Sequence, residues 1–235
     1  MRNSNVGGAS VIVLDFDGVV IKSHVAKRRA MLAMFSEHPE RAAEIDAYIL
    51  SHGGVARREK LAGILETIIG VEPTPAILVQ YLSRYARCVE EALSGAPFVD
   101  GVTEFVAQCP CPVYISSTAP EAEIHEQLQR ADLLRRFDAV YGSGTQKARA
   151  LEEIAARHRG MEMVFFGDSL GDLVAARDAK VPFIAVTNER DNFKDMDVVK
   201  LDSFHSRDRV EHSIRAALSR FAAALRVVSL PMHAF

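Results

Sequence analysis

Polar side chains in this sequence collect where short apolar runs stop. The run VIVL, residues 11–14, leads into Asp15, Phe16, Asp17 and Gly18. The run MVFF, residues 163–166, leads into Gly167, Asp168 and Ser169, with Asp172 three positions on. PVYI, residues 112–115, leads into Ser116, Ser117 and Thr118, and Lys147 follows a fourth apolar stretch at 139–141. On a strand, residues i and i+2 share a side, so Asp15 and Asp17 lie close together where their run ends. Two close carboxylates repel until a cation arrives or one of them holds a proton. Four ionised acids against one ammonium are costly in a partly buried site. A divalent cation removes most of that surplus, and a proton on Asp17 removes the rest. Hard oxygen donors with open positions suit Mg²⁺, which retains water and binds substrate phosphate. Lys147 and a Ser or Thr hydroxyl would serve the remaining phosphate oxygens.

These groups must be brought to one place, and the pattern of elements supplies a way. Strand-like stretches at 11–14, 113–116, 139–141, 163–166 and 183–186, with a weaker one at 198–201, alternate with helical stretches at 119–130, 145–158 and 169–178. Thr145 is placed to cap the second of these helices. A last helix carries Val210, Ile214, Ala217, Leu218, Phe221 and Leu225 on one face. Such alternation implies a parallel sheet wrapped on both faces, with every strand's carboxyl end at one rim. The expected fold class is α/β, a Rossmann-like parallel core.

Between about Ser23 and Leu93 the pattern is helical throughout. Leu61, Ile64, Leu65, Ile68 and Ile69 are at helical spacing, as are Leu78, Tyr81, Leu82, Tyr85 and Val89, and Pro73 with Pro75 separates the two sets. This block reads as an inserted all-helical cap over 22–96, with the core formed by 1–21 and 97–235. Residues 1–9 read as a polar, Gly-containing tail, and 94–102 as the loop that returns to the core.

Composition narrows the function classes. The 235 residues are 49% hydrophobic and 25% charged, ordinary for a soluble globular protein. A net charge of −3 gives no basic field for nucleic acid. No apolar run approaches the roughly 18 residues of a membrane span, and the first ten residues lack the apolar centre of a signal peptide. Cys88, Cys109 and Cys111 form no disulfide framework, and Cys109-Pro110-Cys111 lacks zinc-knuckle spacing. The expectation is reduced thiols in a cytoplasmic protein, monomer or homodimer. His24, His38 and His52 show no metal-ligand spacing and read as surface residues.

The motifs together resemble the haloacid dehalogenase superfamily of phosphohydrolases. DFDGV at 15–19 matches its first motif, ISST at 115–118 the second, Lys147 the lysine of the third, and GDSLGD at 167–172 the fourth. The resemblance covers nearly the whole chain in the right order. It implies a mobile helical cap after the first motif and a Mg²⁺-dependent phosphatase acting on a small phosphorylated metabolite. Asp15 would be the nucleophile, forming an aspartyl-phosphate, and Asp17 the general acid and base. Mg²⁺ would be held by Asp15, the backbone carbonyl of Asp17 and Asp168, with Asp172 close by or acting through water. Asp17 speaks against a dehalogenase, whose halide leaving group needs no proton.

Several assignments stay open at this level. Ser116 and Ser117 both qualify as the phosphate-binding hydroxyl; alignment of STAP with the family's threonine-asparagine-lysine-proline pattern favours Ser117. Ser169 and Asp172 also form a capping box for the following helix, a role compatible with the metal. Ala148 follows Lys147 where relatives often have proline. In the segment HGGVARREKL, residues 52–61, Arg57 and Lys60 are candidates for meeting an anionic group on the substrate. Phosphomutases of the β-phosphoglucomutase type share these motifs and cap, and a non-catalytic binding module on the same fold is a third possibility.

Overall fold

The computed structural model describes residues 5–52, 55–93 and 95–228. Gly53, Gly54, Ser94 and the first four residues of the expected tail lie outside these. The chain divides into two compact units. One is Lys22–Pro97, and the other comprises the chain up to Ile21 and from Phe98.

In the second of these units, β1 (Val11–Leu14), β2 (Val113–Ser116), β3 (Ala139–Tyr141), β4 (Met163–Gly167), β5 (Phe183–Val186) and β6 (Val199–Leu201) form a parallel sheet. Their order is β3-β2-β1-β4-β5-β6. The α/β, Rossmann-like class read from the alternation is therefore the observed one. Every residue of β1, β2 and β4 is buried, as a parallel sheet covered on both faces requires. Val11, Val13, Tyr114 and Phe165 pack with Leu151, Ile154 and Ala176, which belong to α7 (Lys147–Arg157) and α8 (Leu170–Asp178). Ile12 and Leu14 alternate to the other face. There Phe166 meets Phe105 and Phe204 at ring-centroid distances of 6.4 and 5.5 Å, and α9 (Arg207–Val228) contributes Val210 and Ile214. The chain runs outward from β1 to β2 and β3, then returns to β1's other side for β4 to β6. That reversal makes the carboxyl end of β1 a topological switch point, where open α/β sheets bind ligands.

Two local expectations are corrected, and one helix was not foreseen. Residues 5–9 are not a tail: Val6 and Ala9 are buried and bond each other across Gly7 and Gly8. Gly7 has φ +57° and lies so close to α9 that a Cβ would stand 2.5 Å from the Glu211 carbonyl oxygen. Two apolar anchors in four residues carry no periodicity, so the docking was invisible in the sequence. A short helix, α5 (Val102–Gln108), begins at the last residue of the expected loop and buries Val102 and Val106; two turns are too few to show a period. Thr145 does not cap α7. Its N–H closes a turn onto Gly142, and Gln146 occupies the cap position without a side-chain hydrogen bond.

In the helical unit, α1 (His24–Ala33), α2 (Ala42–Ser51), α3 (Arg57–Ile64) and α4 (Pro75–Leu93) enclose their own apolar cluster, including Met34, Ile45, Leu61, Ile64, Leu65, Val89 and Leu93. α3 continues into a wider turn at Leu65–Ile69, which ends at Gly70 in the left-handed region. Thr74 accepts from the Ile77 N–H at the start of α4, and Pro75 at the first helical position needs no donor. Arg28 of α1 pairs with Asp46 of α2, its Nε 2.6 Å from the carboxylate.

Candidate active site

The switch point holds the acids. β1 delivers Asp15, whose backbone continues the ladder onto the Phe166 carbonyl and whose Oδ1 accepts from the Phe16 N–H at 2.7 Å. β4, paired directly with β1, delivers Asp168. α8 begins there, and Asp172 and Ser169 form the capping box anticipated from the sequence. Asp172 Oδ2 accepts from the Asp168 N–H, the Ser169 N–H and the Ser169 hydroxyl at 3.2, 3.0 and 2.7 Å. Gly167 makes this possible, since a Cβ there would fall 2.4 Å from the Asp172 Cβ. A capping contact of this kind contributes about 1 kcal/mol.

Lys147, first residue of α7, reaches in from the β3–β4 crossover. Its Nζ lies 2.8 Å from Asp15 Oδ2 and also pairs with Asp172 Oδ1. Burial works against its charge, but Asp15 and Asp172 overcome that and hold the ammonium above its usual value. Asp15 is perturbed more tellingly. Burial, then the charge of Asp172, pushes its carboxyl well above the ordinary range; Lys147 opposes this, while Asp168 and Asp17 add to it. One lysine thus leaves the cluster short of positive charge.

That shortfall fits a divalent cation. Asp15, Asp168 and Asp172 are buried, and each offers an oxygen within 4.8 Å of the others. The donors are all hard oxygens, the preference of Mg²⁺. The Asp17 side chain, half-buried, is not one of this set.

The second-motif hydroxyls stand at the end of β2, next to β1. Ser116 and Ser117 are both buried. Ser117 Oγ accepts from the Ala119 N–H at 3.2 Å, which leaves its hydrogen to donate. Ser116 Oγ has no hydrogen-bond partner among the described residues. Arg57 and Lys60 are in α3 of the helical unit, where the Arg57 guanidinium lies over the Tyr85 ring, 4.7 Å from its centroid.

Sequence reasoning missed the loop after β5, residues 187–192. Asn188 Nδ2 donates to the Gly18 carbonyl at 2.5 Å, and Asn192 Nδ2 to the Asp168 carbonyl at 2.8 Å. Arg190 places a guanidinium nitrogen 3.8 Å from Asp168 Oδ2. The rule that identified the other strand ends applies here too, because TNERDN follows the apolar run of β5.

Comparison with known proteins agrees with this geometry. A search of curated proteins gave no match. Among solved structures, a predicted phosphoglycolate phosphatase from Haemophilus somnus is similar with a TM-score of 0.69 at 15% identity, covering 86% of this chain and 98% of its own. A haloacid dehalogenase-like family hydrolase from Streptococcus pneumoniae has a TM-score of 0.66 at 17% identity, covering 86% and 97%. CbbY from Rhodobacter sphaeroides, in complex with xylulose-(1,5)-bisphosphate, has a TM-score of 0.64 at 16% identity, covering 84% and 96%. At such identities the likeness is one of fold. The family model for haloacid dehalogenase-like hydrolases matches residues 9–180, a span that runs from β1 through α8 and includes all four motifs. With the acids and the lysine meeting at the switch point, the chain belongs to the haloacid dehalogenase-like hydrolases.

Proposed function

We propose that the protein is a Mg²⁺-dependent phosphomonoesterase that hydrolyses a small phosphorylated metabolite through an aspartyl-phosphate on Asp15. The observation that carries this reading is the buried Asp15 carboxylate, held by Lys147 at 2.8 Å within a cluster of acids that still lacks positive charge. Mg²⁺ held by Asp15, the Asp17 carbonyl and Asp168, with Asp172 behind them, would supply charge neutralisation of the phosphoryl group.

The chain's own residues do the rest. Asp15 attacks phosphorus in line with the leaving oxygen, splitting one displacement into two. Asp17 protonates that oxygen as it departs and then takes a proton from the water that attacks the acyl phosphate. Lys147 and the hydroxyl of Ser117, or of Ser116 beside it, bind the transferring oxygens. Asn192 and Arg190 steady Asp168, and Asn188 steadies the turn after Asp17. Binding of xylulose-(1,5)-bisphosphate by CbbY supports a phosphorylated metabolite as the substrate class.

A screen of phosphorylated metabolites with Mg²⁺ tests the reading, with an aryl phosphate as a generic substrate. Hydrolysis that requires Mg²⁺ and disappears in Asp15→Asn is expected; unchanged turnover in that variant would sink the mechanism. The lifetime of the acyl phosphate in water separates a phosphatase from a mutase, which must keep it long enough to return it. Arg57 and Lys60 enter as selectors of an anionic group. Lys60→Ala should raise KM for the true substrate more than for the aryl phosphate, and equal effects on both would refute that role. Arg57→Ala is a less clean test because it also removes the packing on Tyr85.

A further inference from the structure

Cys109 and Cys111 lie outside the site described above and face each other. Their Sγ atoms are 3.3 Å apart, with a thiol hydrogen shared between them. Cys109 follows the last residue of α5, and Cys111 stands two residues before β2. Two residues of chain span at most about 7 Å, so their Cα atoms are within reach of a disulfide. The two thiols differ in access. Cys111 is buried, whereas Cys109 is half-buried and lines a cavity of about 150 Å³ with Pro110, His205, Arg207, Phe204 and Val6. We propose that this pair is a thiol–disulfide exchange site, in which Cys109 is the attacking thiol, Cys111 the resolving thiol, and a low-molecular-weight disulfide the oxidant.

Electrostatics agrees with that division. The contact with Cys111 lowers the Cys109 thiol below its usual range; burial opposes this, and Arg207 helps it. The Cys111 thiol is pushed up, first by the same contact and then by burial. The thiolate is the nucleophile in exchange, so reaction begins at Cys109. Its sulfur attacks one sulfur of R–S–S–R, forming a mixed disulfide and releasing RS⁻. Cys111 then gives up its proton, attacks the Cys109 sulfur, and expels the second RS⁻. Two protein thiols are oxidised, one external disulfide is reduced to two thiols, and no other reactant is needed.

The test uses the full chain, reduced and then incubated with oxidised glutathione. Remaining thiols are alkylated in denaturant and the Cys109–Cys111 peptide is analysed by mass spectrometry. Loss of two of the three thiols is expected, with the peptide lighter by two hydrogens, Cys88 still alkylated, and both sites recovered with dithiothreitol. Cys111→Ser should stop at a glutathione adduct on Cys109, and Cys109→Ser should leave Cys111 alkylatable. A wild-type peptide alkylated at both positions, or one retaining glutathione on Cys109 without ring closure, would overturn the proposal. The wild-type result decides even if a variant fails to fold.

Discussion

The two units of this protein use burial differently. The sheet unit buries Asp15, Asp168, Asp172, Ser116 and Ser117 at one rim. Among the described residues of the helical unit, the buried ones are apolar apart from Ser23. Its Arg28–Asp46 bridge is 41% and 27% exposed, whereas the Lys147–Asp15 pair is 9% and 6% exposed. A core built only from apolar packing minimises cost. A rim that buries three carboxylates, two of them on one lysine, accepts a cost that a stability argument does not explain. The difference places the buried charged groups in the sheet unit and leaves the charged side chains described in the helical unit outside its core.

The largest effect that bears on this contrast is catalytic. Asp15→Asn should cost on the order of 10⁴-fold in turnover while leaving the circular dichroism spectrum intact. It relieves repulsion with Asp172 and Asp168, so the metal-free variant should melt no lower than wild type. Turnover at the wild-type rate would remove the chemical meaning of the rim.

Stability comes next. In metal-free protein Lys147→Ala leaves buried carboxylates unpaired and should cost about 3–5 kcal/mol, measured by urea unfolding. Leu61→Ala in the helical unit should cost a similar amount, about 2–5 kcal/mol, through a cavity. Measured against wild type at the same Mg²⁺ concentration, the first loss should shrink and the second should stay unchanged. Equal recovery would mean that the two units do not differ as argued.

A smaller effect follows from pH. Because the folded protein raises the Asp15 pKa, stability linked to its neutral form is complete below the ordinary carboxylate value of about 3.9 and is lost as pH rises through the elevated native value. The melting temperature of metal-free protein should therefore fall across that window. Mg²⁺ should raise it most on the alkaline side, as expected when ligands must be deprotonated. A Mg²⁺ shift independent of pH would contradict this.

The smallest effect belongs to the helical unit's surface. Arg28→Ala should move the melting temperature barely measurably, and salt should erase the change. Arg28 lowers the Asp46 pKa through their hydrogen bond. Any contribution is thus present above the ordinary carboxylate range and vanishes as pH falls through the lowered value. A large shift at neutral pH would blur the contrast between buried and exposed charge.

How much of this was visible beforehand depended on how local the signal was. The strand-like stretches at 11–14, 113–116 and 183–186 were strands at the expected bounds, because contiguous buried residues are how a parallel strand is written. The Ser169–Asp172 capping box was equally local. α5 and the buried turn at Val6–Ala9 escaped because each depends on a few side chains meeting a distant surface. Thr145 misled because a cap-forming residue works only where the backbone starts its helix, and that start was set two residues later at Lys147.

The same division holds at the rim. The sequence by itself determined which acids stand at the rim, since an acid directly after a buried apolar strand emerges at that strand's end. Only the tertiary structure decided how they are shared. Lys147 pairs with Asp15 and Asp172 together, Arg190 faces Asp168, and Asn188 bonds the Gly18 carbonyl across 170 residues of chain. Strand position is encoded in a few neighbouring residues. Contacts across such separations are set by the order in which strands join the sheet, which no single stretch of the chain contains.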